Sequence, residues 1–280
     1  MKLAKTIAAM RAARAPLDAP FGFVPTMGAL HEGHLSLIRL ARERCSRVGA
    51  SIFVNPAQFN DKRDLERYPR TFERDMEMLK AAGCDVVFAP EAGEIYPDGF
   101  STTIDVGPVT RPLEGAMRPG HFNGVAVVVT KLLNIVQPTH AVFGQKDAQQ
   151  LVVIRRMVRD LDLPVEIIAG PTMREADGLA MSSRNALLTA EDRAAAPVLY
   201  RALSKVREAY AAGEREAAVL RGILKGALER EPRASIEYVS VADLATLAEL
   251  ERVRAEGALV SLAVRFGAVR LIDNVVLPAG

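Results

Sequence analysis

Two of the chain's four histidines, His31 and His34, stand three residues apart, directly after an apolar run and directly before an amphipathic one. Imidazoles in that position can donate hydrogen bonds to phosphate oxygens. The surrounding pattern suits such a role. Phe21 to Pro25 predicts a short buried strand, and Gly28 and Gly33 supply turn positions with little side-chain bulk. From about Gly33 onward Leu35, Ile38, Ala41, Cys45 and Val48 recur at the spacing of one helix face. A strand running through a glycine-bearing turn into a helix N-terminus offers unpaired backbone N–H groups and a positive dipole end, which together favour anions. Taken singly, each histidine could equally be an ordinary cap or surface residue.

Further residues of suitable chemistry follow other predicted strands. Lys146 lies just beyond Ala141 to Phe143, and Met181-Ser182-Ser183-Arg184 lies beyond the strand predicted at Val165 to Ala169. Activating a nucleotide at its α-phosphate requires relief of the charge that builds on the phosphoryl oxygens and the departing pyrophosphate. His31, His34 and Lys146 can act there as point donors, Arg184 as a planar fork, and Ser182 and Ser183 as hydroxyl donors. Gln58 and Gln150 are neutral; a lone glutamine is ordinarily a solvated surface residue, though it can also orient a polar ligand through hydrogen bonds without the strong pairing of a cation. Arg118 and His121, in a Gly/Pro/Arg-rich stretch from Arg111 to Gly124 read as a loop, either contact phosphates or pin that loop.

The elements that must position these groups alternate. Ala50 to Val54, Asp85 to Ala89, Ala141 to Phe143 and Val165 to Ala169 predict strands, separated by helical patterns beginning after Pro69 and Thr71, after Gly124 and near Leu151. Alternation of this kind predicts an α/β fold, a Rossmann-like parallel sheet whose ligand cleft lies at the strand C-terminal ends. Met1 to Arg14 is expected to be a first surface helix. After Asn185 the character changes. Two helices, marked by Leu199, Leu203, Val206 and Tyr210 and then by about Glu214 to Leu228, precede three strands at Ile236–Val241, Leu259–Phe266 and Val269–Val276. The expected organisation is a nucleotide-binding domain over 1–185 and a smaller C-terminal α+β lid domain over 186–280.

Composition removes several other function classes. Thirty-six Lys and Arg against 34 Asp and Glu leave a net charge of +2, which gives no broad field for nucleic acid or a membrane surface. No apolar run approaches the twenty or so residues of a membrane span. Cys45 and Cys84 have no partner at metal-ligand spacing and read as core thiols of a reducing compartment. The N-terminus lacks the apolar core of a signal peptide, so a cytoplasmic location is the expectation.

Five strings in this order carry a family resemblance: Pro25 to His34 (PTMGALHEGH), Phe53 to Phe59 (FVNPAQF), Arg118 to Val125 (RPGHFNGV), Gly144 to Gln150 (GQKDAQQ) and Arg174 to Asn185 (READGLAMSSRN). The first resembles the HxGH signature of the nucleotidylyltransferase superfamily, and the whole set resembles the pantoate-β-alanine ligases. The resemblance implies ATP-dependent condensation of (R)-pantoate with β-alanine through a pantoyl adenylate, with release of pyrophosphate and AMP. It implies that Met27, Gly28, Ala29, Leu30, His31, Glu32, Gly33 and His34, with Gly144, Gln145, Lys146, Asp147, Met173, Met181, Ser182, Ser183 and Arg184, hold ATP. It places pantoate on Gln58 and Gln150 and β-alanine near Gln58. Mg²⁺ is expected to bridge the phosphates, with Asp75 as an outer contact, and a homodimer is expected. His34 is the family's usual nominee for proton donor; charge relief at the phosphoryl centre is the physically stronger role for His34 and His31. Two other readings compete: an HxGH nucleotidylyltransferase with a different small acceptor, and a nucleotide-sensing or RNA-binding module using the basic segment from Arg201 to Arg233.

Overall fold

A computed structural model describes residues 1–60 and 62–279. The chain forms two compact units, Met1–Gly144 with Gln149–Pro171, and Gln145–Ala148 with Thr172–Gly280. The segment from Thr172 to Asn185, which the sequence character joins to the first domain, therefore groups with the second.

The first unit is built on six strands, β1 (Lys2–Ala4), β2 (Phe21–Thr26), β3 (Arg47–Ile52), β4 (Val86–Phe88), β5 (His140–Gly144) and β6 (Glu166–Gly170). They pair in parallel in the order β1-β4-β3-β2-β5-β6. Helices α1 (Ile7–Arg14), α2 (Glu32–Arg44), α3 (Lys62–Arg67), α4 (Phe72–Ala81), α5 (Ala92–Ile95), α6 (Glu114–Met117), α7 (His121–Val136) and α8 (Ala148–Asp160) lie between them. Chain order reverses between β2 and β5, so the C-terminal ends of these two strands mark the switch point where open α/β sheets bind ligands.

The central strands are apolar on both faces because both are covered. Phe21, Phe23 and Val24 of β2 and Val86, Val87 and Phe88 of β4 are fully buried. Leu37, Ile38 and Ala41 of α2 pack with Val24, Val48, Ala50 and Val142 in one core, each large apolar side chain contributing ~1.5–3 kcal/mol relative to exposure. Pro25 sits in β2 without breaking the sheet. Pairing with β5 ends at Phe23–Ala141, so at the proline β2 has a strand neighbour on one side alone.

Three sequence expectations require correction. Lys2–Ala4 is a parallel edge strand, not helix, and α1 begins at Ile7 behind the Thr6 cap. The α2 helix ends at Arg44, so Cys45 and Val48 are buried beyond it, Val48 in β3 rather than on the helix face. The stretch from Arg111 to Gly124 is not all loop: it contains α6 and the first turn of α7.

The second unit carries α9 (Ala190–Ala195), α10 (Val198–Ala211) and α11 (Ala217–Leu228), then β7 (Ser235–Ala242), β8 (Ala258–Phe266) and β9 (Val269–Leu277) in an antiparallel sheet with β8 at its centre. Leu199, Leu203, Val206, Leu220, Leu224 and Leu228 from the helices share a core with Val260, Leu262 and Val264 of β8. The hairpin predicted at Gly267-Ala268 is present, with Phe266 opposite Val269. Among the described residues no helix is long and apolar enough to cross a membrane.

Candidate active site

The turn between β2 and α2 is held in an uncommon backbone conformation. Gly28 and Ala29 both have positive φ, +81° and +51°. Glycine enters that region freely, but alanine meets steric resistance there. What holds the turn is Asp75, in the first turn of α4 and 1 % exposed. Its two carboxylate oxygens accept the backbone N–H groups of Ala29 and Leu30, each at 2.9 Å, and the Thr71 hydroxyl donates to it at 3.0 Å. The Thr26 hydroxyl oxygen accepts Gly28 N–H at 3.2 Å. Its oxygens are engaged by the turn, which makes Asp75 the brace of the histidine corner.

His31 is the N-cap of α2, and the two imidazoles cap the helix reciprocally. His31 Nδ1 accepts Gly33 N–H at 3.2 Å, and His34 Nδ1 accepts His31 N–H at 3.3 Å. Two of the helix's otherwise unpaired donors are thereby satisfied. In a neutral imidazole an accepting Nδ1 puts the proton on Nε2. Both rings therefore carry Nε2–H, with centroids 4.2 Å apart and planes tilted by 48°. A helix N-terminus bearing two such donors has the chemistry of an anion site. Glu32, beside them, is paired with Arg39.

Beyond β3, Pro56–Gln58 forms a single 3₁₀ turn capped by Asn55, which is 1 % exposed. Asn55 Oδ1 accepts the Tyr96 hydroxyl at 2.7 Å and Ala57 N–H at 3.2 Å, and its Nδ2 donates to Gln58 Oε1 at 3.0 Å and to the Gly124 carbonyl at 3.1 Å. Burial pushes the Tyr96 phenol up to about 12 despite its hydrogen bond to Asn55, so it remains a donor at neutral pH. Gln58 Nε2 lies 3.3 Å from Met27 Sδ, which joins this turn to the histidine corner. A Cβ at Gly124 would stand 2.2 Å from the Ala57 carbonyl oxygen, so the close approach of α7 to the turn needs glycine there.

Arg118 and His121 both reach the Gln58 turn. The Gln58 carbonyl accepts from His121 Nδ1 at 2.8 Å and from Arg118 Nη2 at 3.2 Å. Arg118 Nη1 lies 3.3 Å from His121 Nε2, which fits the Nδ1–H tautomer, opposite to that of His31 and His34. The pair fixes the Gln58 turn. Gln150 is half-buried in the first turn of α8. Its neighbour Gln149, which sequence reasoning passed over, anchors the Arg111–Gly120 segment: its Oε1 accepts Glu114 N–H, and its Nε2 donates to the Val109 and Pro112 carbonyls.

The remaining candidates belong to the second unit. Lys146 is half-buried in the short turn Gln145–Asp147. The Met173 carbonyl accepts the backbone N–H of Met181 at 2.9 Å, and Arg174 bridges Ala180, so 173–181 forms a narrow hairpin leading into Ser182. Ser182 caps the next 3₁₀ turn by accepting Arg184 N–H at 3.2 Å, which leaves its own O–H as a donor. Asn185 donates to the Ala180 carbonyl. The structure thus gathers Met27–His34, Gln58, Asp75, Arg118 and His121 in one unit, and Lys146, Met173 and Met181–Arg184 in the other. Asp75, Asn55, Tyr96 and Gln149 were missed as supports. A buried-type Asn immediately before a proline, and an acid at the first turn of a helix, were the available signals.

A parallel sheet that reverses order after β2, with a histidine-capped helix there, defines an α/β nucleotide-binding protein. The comparisons give the particular family. The model of pantoate-beta-alanine ligase matches residues 2–276. A pantothenate synthetase of Chloroflexus aurantiacus is 60 % identical over 274 residues, covering 98 % of this chain and 97 % of that one. The crystal structure of pantothenate synthetase from Thermus thermophilus superposes with a TM-score of 0.93 at 49 % identity, covering 98 % of this chain and 99 % of that one. A pantoate-beta-alanine ligase of Francisella tularensis, complexed with β-γ ATP and β-alanine, gives 0.81 at 36 % identity, covering 99 % and 97 %. The chain belongs to the pantoate-β-alanine ligase family, ATP-using enzymes of pantothenate biosynthesis. A nucleotidylyltransferase of other specificity and an RNA-binding module are not favoured by likeness along the whole length.

Proposed function

We propose that the chain joins (R)-pantoate to β-alanine in two steps on ATP, with the histidine corner as the principal site of charge relief. In the first step a pantoate carboxylate oxygen forms a bond to the α-phosphorus while the bond to the β-phosphate oxygen breaks, and pyrophosphate leaves with the electron pair. In the second, the unprotonated amine of β-alanine attacks the acyl carbon, the bond to AMP breaks, and the nitrogen sheds a proton.

His31 and His34 donate through Nε2–H to the triphosphate, with Met27–His34 lining the nucleotide. Gly144, Gln145, Lys146, Asp147, Met173, Met181, Ser182, Ser183 and Arg184 complete the ATP contacts. Gln58 and Gln150 hold pantoate, and Gln58 borders β-alanine. Donors fixed before the reaction stabilise developing phosphoryl charge without reorganising, and each such donor is worth about 2.7–4 kcal/mol. Mg²⁺ would be carried chiefly by phosphate oxygens, since among the described residues no three His, Cys, Asp or Glu side chains come together to hold a metal. The same reading makes the enzyme a cytoplasmic homodimer, with 186–280 as the lid domain.

The observation that carries this proposal is the reciprocal cap, which sets both imidazoles as Nε2–H donors at a helix N-terminus. Rapid quench with ATP and pantoate alone tests it. Pyrophosphate and an acyl adenylate should form before β-alanine is added; their absence would overturn the two-step order.

A further inference from the structure

Both nucleotide-binding segments of the second unit rest on one dipeptide of β9, Asp273-Asn274. These two residues are 1 % and 4 % exposed in a strand that is otherwise apolar at its centre. Asn274 Nδ2 donates to the carbonyls of both Gln145 and Lys146, at 3.0 and 2.9 Å, and its Oδ1 accepts from Gln145 Nε2 at 3.3 Å. The carboxamide therefore spends both of its donors and one acceptor site on the Lys146 turn. Asp273 accepts both terminal nitrogens of Arg174, at 2.6 and 2.9 Å, with a carboxylate that is itself wholly buried. Arg174 lies over the Tyr200 ring at 3.9 Å and donates to the Gly178 carbonyl at 3.1 Å, which fixes the hairpin that ends in Ser182–Arg184.

We infer that Asn274 is a positioning residue for adenylation: it sets the backbone of Lys146, while Asp273 sets the Arg184 loop through Arg174, so that β9 places the two cations in fixed register. Two features separate this from ordinary packing. A buried Asp-Asn pair in a strand core is costly unless its polar groups are satisfied, and here they are satisfied by the two segments that carry the reactive cations. Asn274 also reaches backbone carbonyls, so its effect passes to Lys146 whatever the lysine side chain does. Gln145–Ala148 groups with the second unit although β5 before it and most of α8 after it belong to the first, and Asn274 supplies three of the side-chain hydrogen bonds that tie it there.

This inference rests on the adenylate-forming reading above. The test measures pyrophosphate release from ATP and pantoate without β-alanine, in the full-length wild type, N274A, K146A and the double variant. N274S, which keeps a single donor, serves as a partial rescue. A misplacement of a catalytic group by about 1 Å can cost on the order of a hundredfold. N274A is expected to lower kcat ten- to a hundredfold with the KM for pantoate within about twofold, N274S to recover part of that, and the double variant to be little slower than K146A. Circular dichroism and urea midpoints confirm that each variant is folded under assay conditions. Additive losses in the double variant, or an N274A rate within twofold of wild type, would overturn the positioning role while leaving adenylation intact. A wild type that releases no pyrophosphate without β-alanine would overturn the functional reading itself, and this inference with it.

Discussion

Asp75→Ala removes the brace of the histidine corner while leaving every residue proposed to touch substrate chemically unaltered. Two backbone N–H groups, those of Ala29 and Leu30, lose their acceptor in a region where Leu30 is 2 % exposed and Asp75 1 %. An orphaned buried donor costs about 1–3 kcal/mol, while the positive φ of Ala29, a strain of about 1 kcal/mol already carried by the wild type, favours relaxation of the turn once the brace is gone. Part of this cost is relieved when the turn swings out to reach water, so a net loss of about 2–4 kcal/mol is expected. That is a large share of the 5–15 kcal/mol typical of a domain. Relief by that route displaces Leu30 and the His31 cap, so adenylation should fall at least tenfold in protein that is still folded. Asp75→Asn, which retains one acceptor oxygen and turns an amide donor toward a backbone N–H, should fall between wild type and alanine on both scales. Urea unfolding followed by circular dichroism is the suitable stability assay, because the chain has no tryptophan; pyrophosphate release reports the rate. Loss of less than 1 kcal/mol together with an undiminished rate in Asp75→Ala would refute the bracing role.

Three further outcomes follow from the same structure. His34→Ala should keep the fold and reduce adenylate formation by on the order of a hundredfold, as for loss of one preorganised donor; single-turnover quench measures it, and a near-normal rate would remove His34 from the site. Tyr96→Phe leaves Asn55 Oδ1 with Ala57 N–H alone, so it should cost about 1 kcal/mol and raise the KM for pantoate severalfold with a smaller change in kcat, as steady-state kinetics will show. Burial draws the Glu237 carboxyl upward, but Arg270 and Arg265 outweigh it and hold the group below its ordinary range. Its folded value is thus lower than its unfolded one, and its contribution is present above the ordinary glutamate value near 4.5 and lost as pH falls through the folded value. Urea midpoints between pH 7 and pH 3 should decline less steeply in Glu237→Gln.

What the sequence disclosed well was whatever depends on runs of side chains. The two strands at Leu259–Phe266 and Val269–Val276, with their turn, coincide with β8 and β9 to within about a residue, because buried strands around a two-residue turn leave a long apolar signature. The corner at Pro25–His34 was legible because a strand, a turn and a helix start follow one another without interruption. Short or edge elements left no such trace. Lys2–Ala4 buries Ala4 alone, so its pairing with β4 is written in Val86–Phe88 rather than in itself. Supports were the least legible part of the site. Asp75 lies 45 residues from Leu30, and Asn274 lies 128 from Lys146; such partners are chosen by the fold. Only their chemistry could have drawn notice, as with an Asp-Asn pair inside Leu271–Val276, where an apolar strand has no use for polar groups that lack a partner. Arg118 and His121 were read as meeting phosphate or pinning their own loop; both also hydrogen-bond to the Gln58 carbonyl, a partner 60 and 63 residues away that no local pattern displays.

The most direct measurement is long-range proton–nitrogen NMR of the enzyme labelled with ¹⁵N-histidine, recorded without and then with ATP and pantoate. With four histidines the spectrum is assignable by single substitutions. His31 and His34 should show the Nε2–H tautomer before ligand is added, His121 the Nδ1–H tautomer, and the Nε2 resonances of His31 and His34 should shift on binding ATP. Nδ1–H tautomers at His31 and His34, or Nε2 resonances indifferent to ATP, would contradict the assignment of this corner as a preset donor pair for the triphosphate.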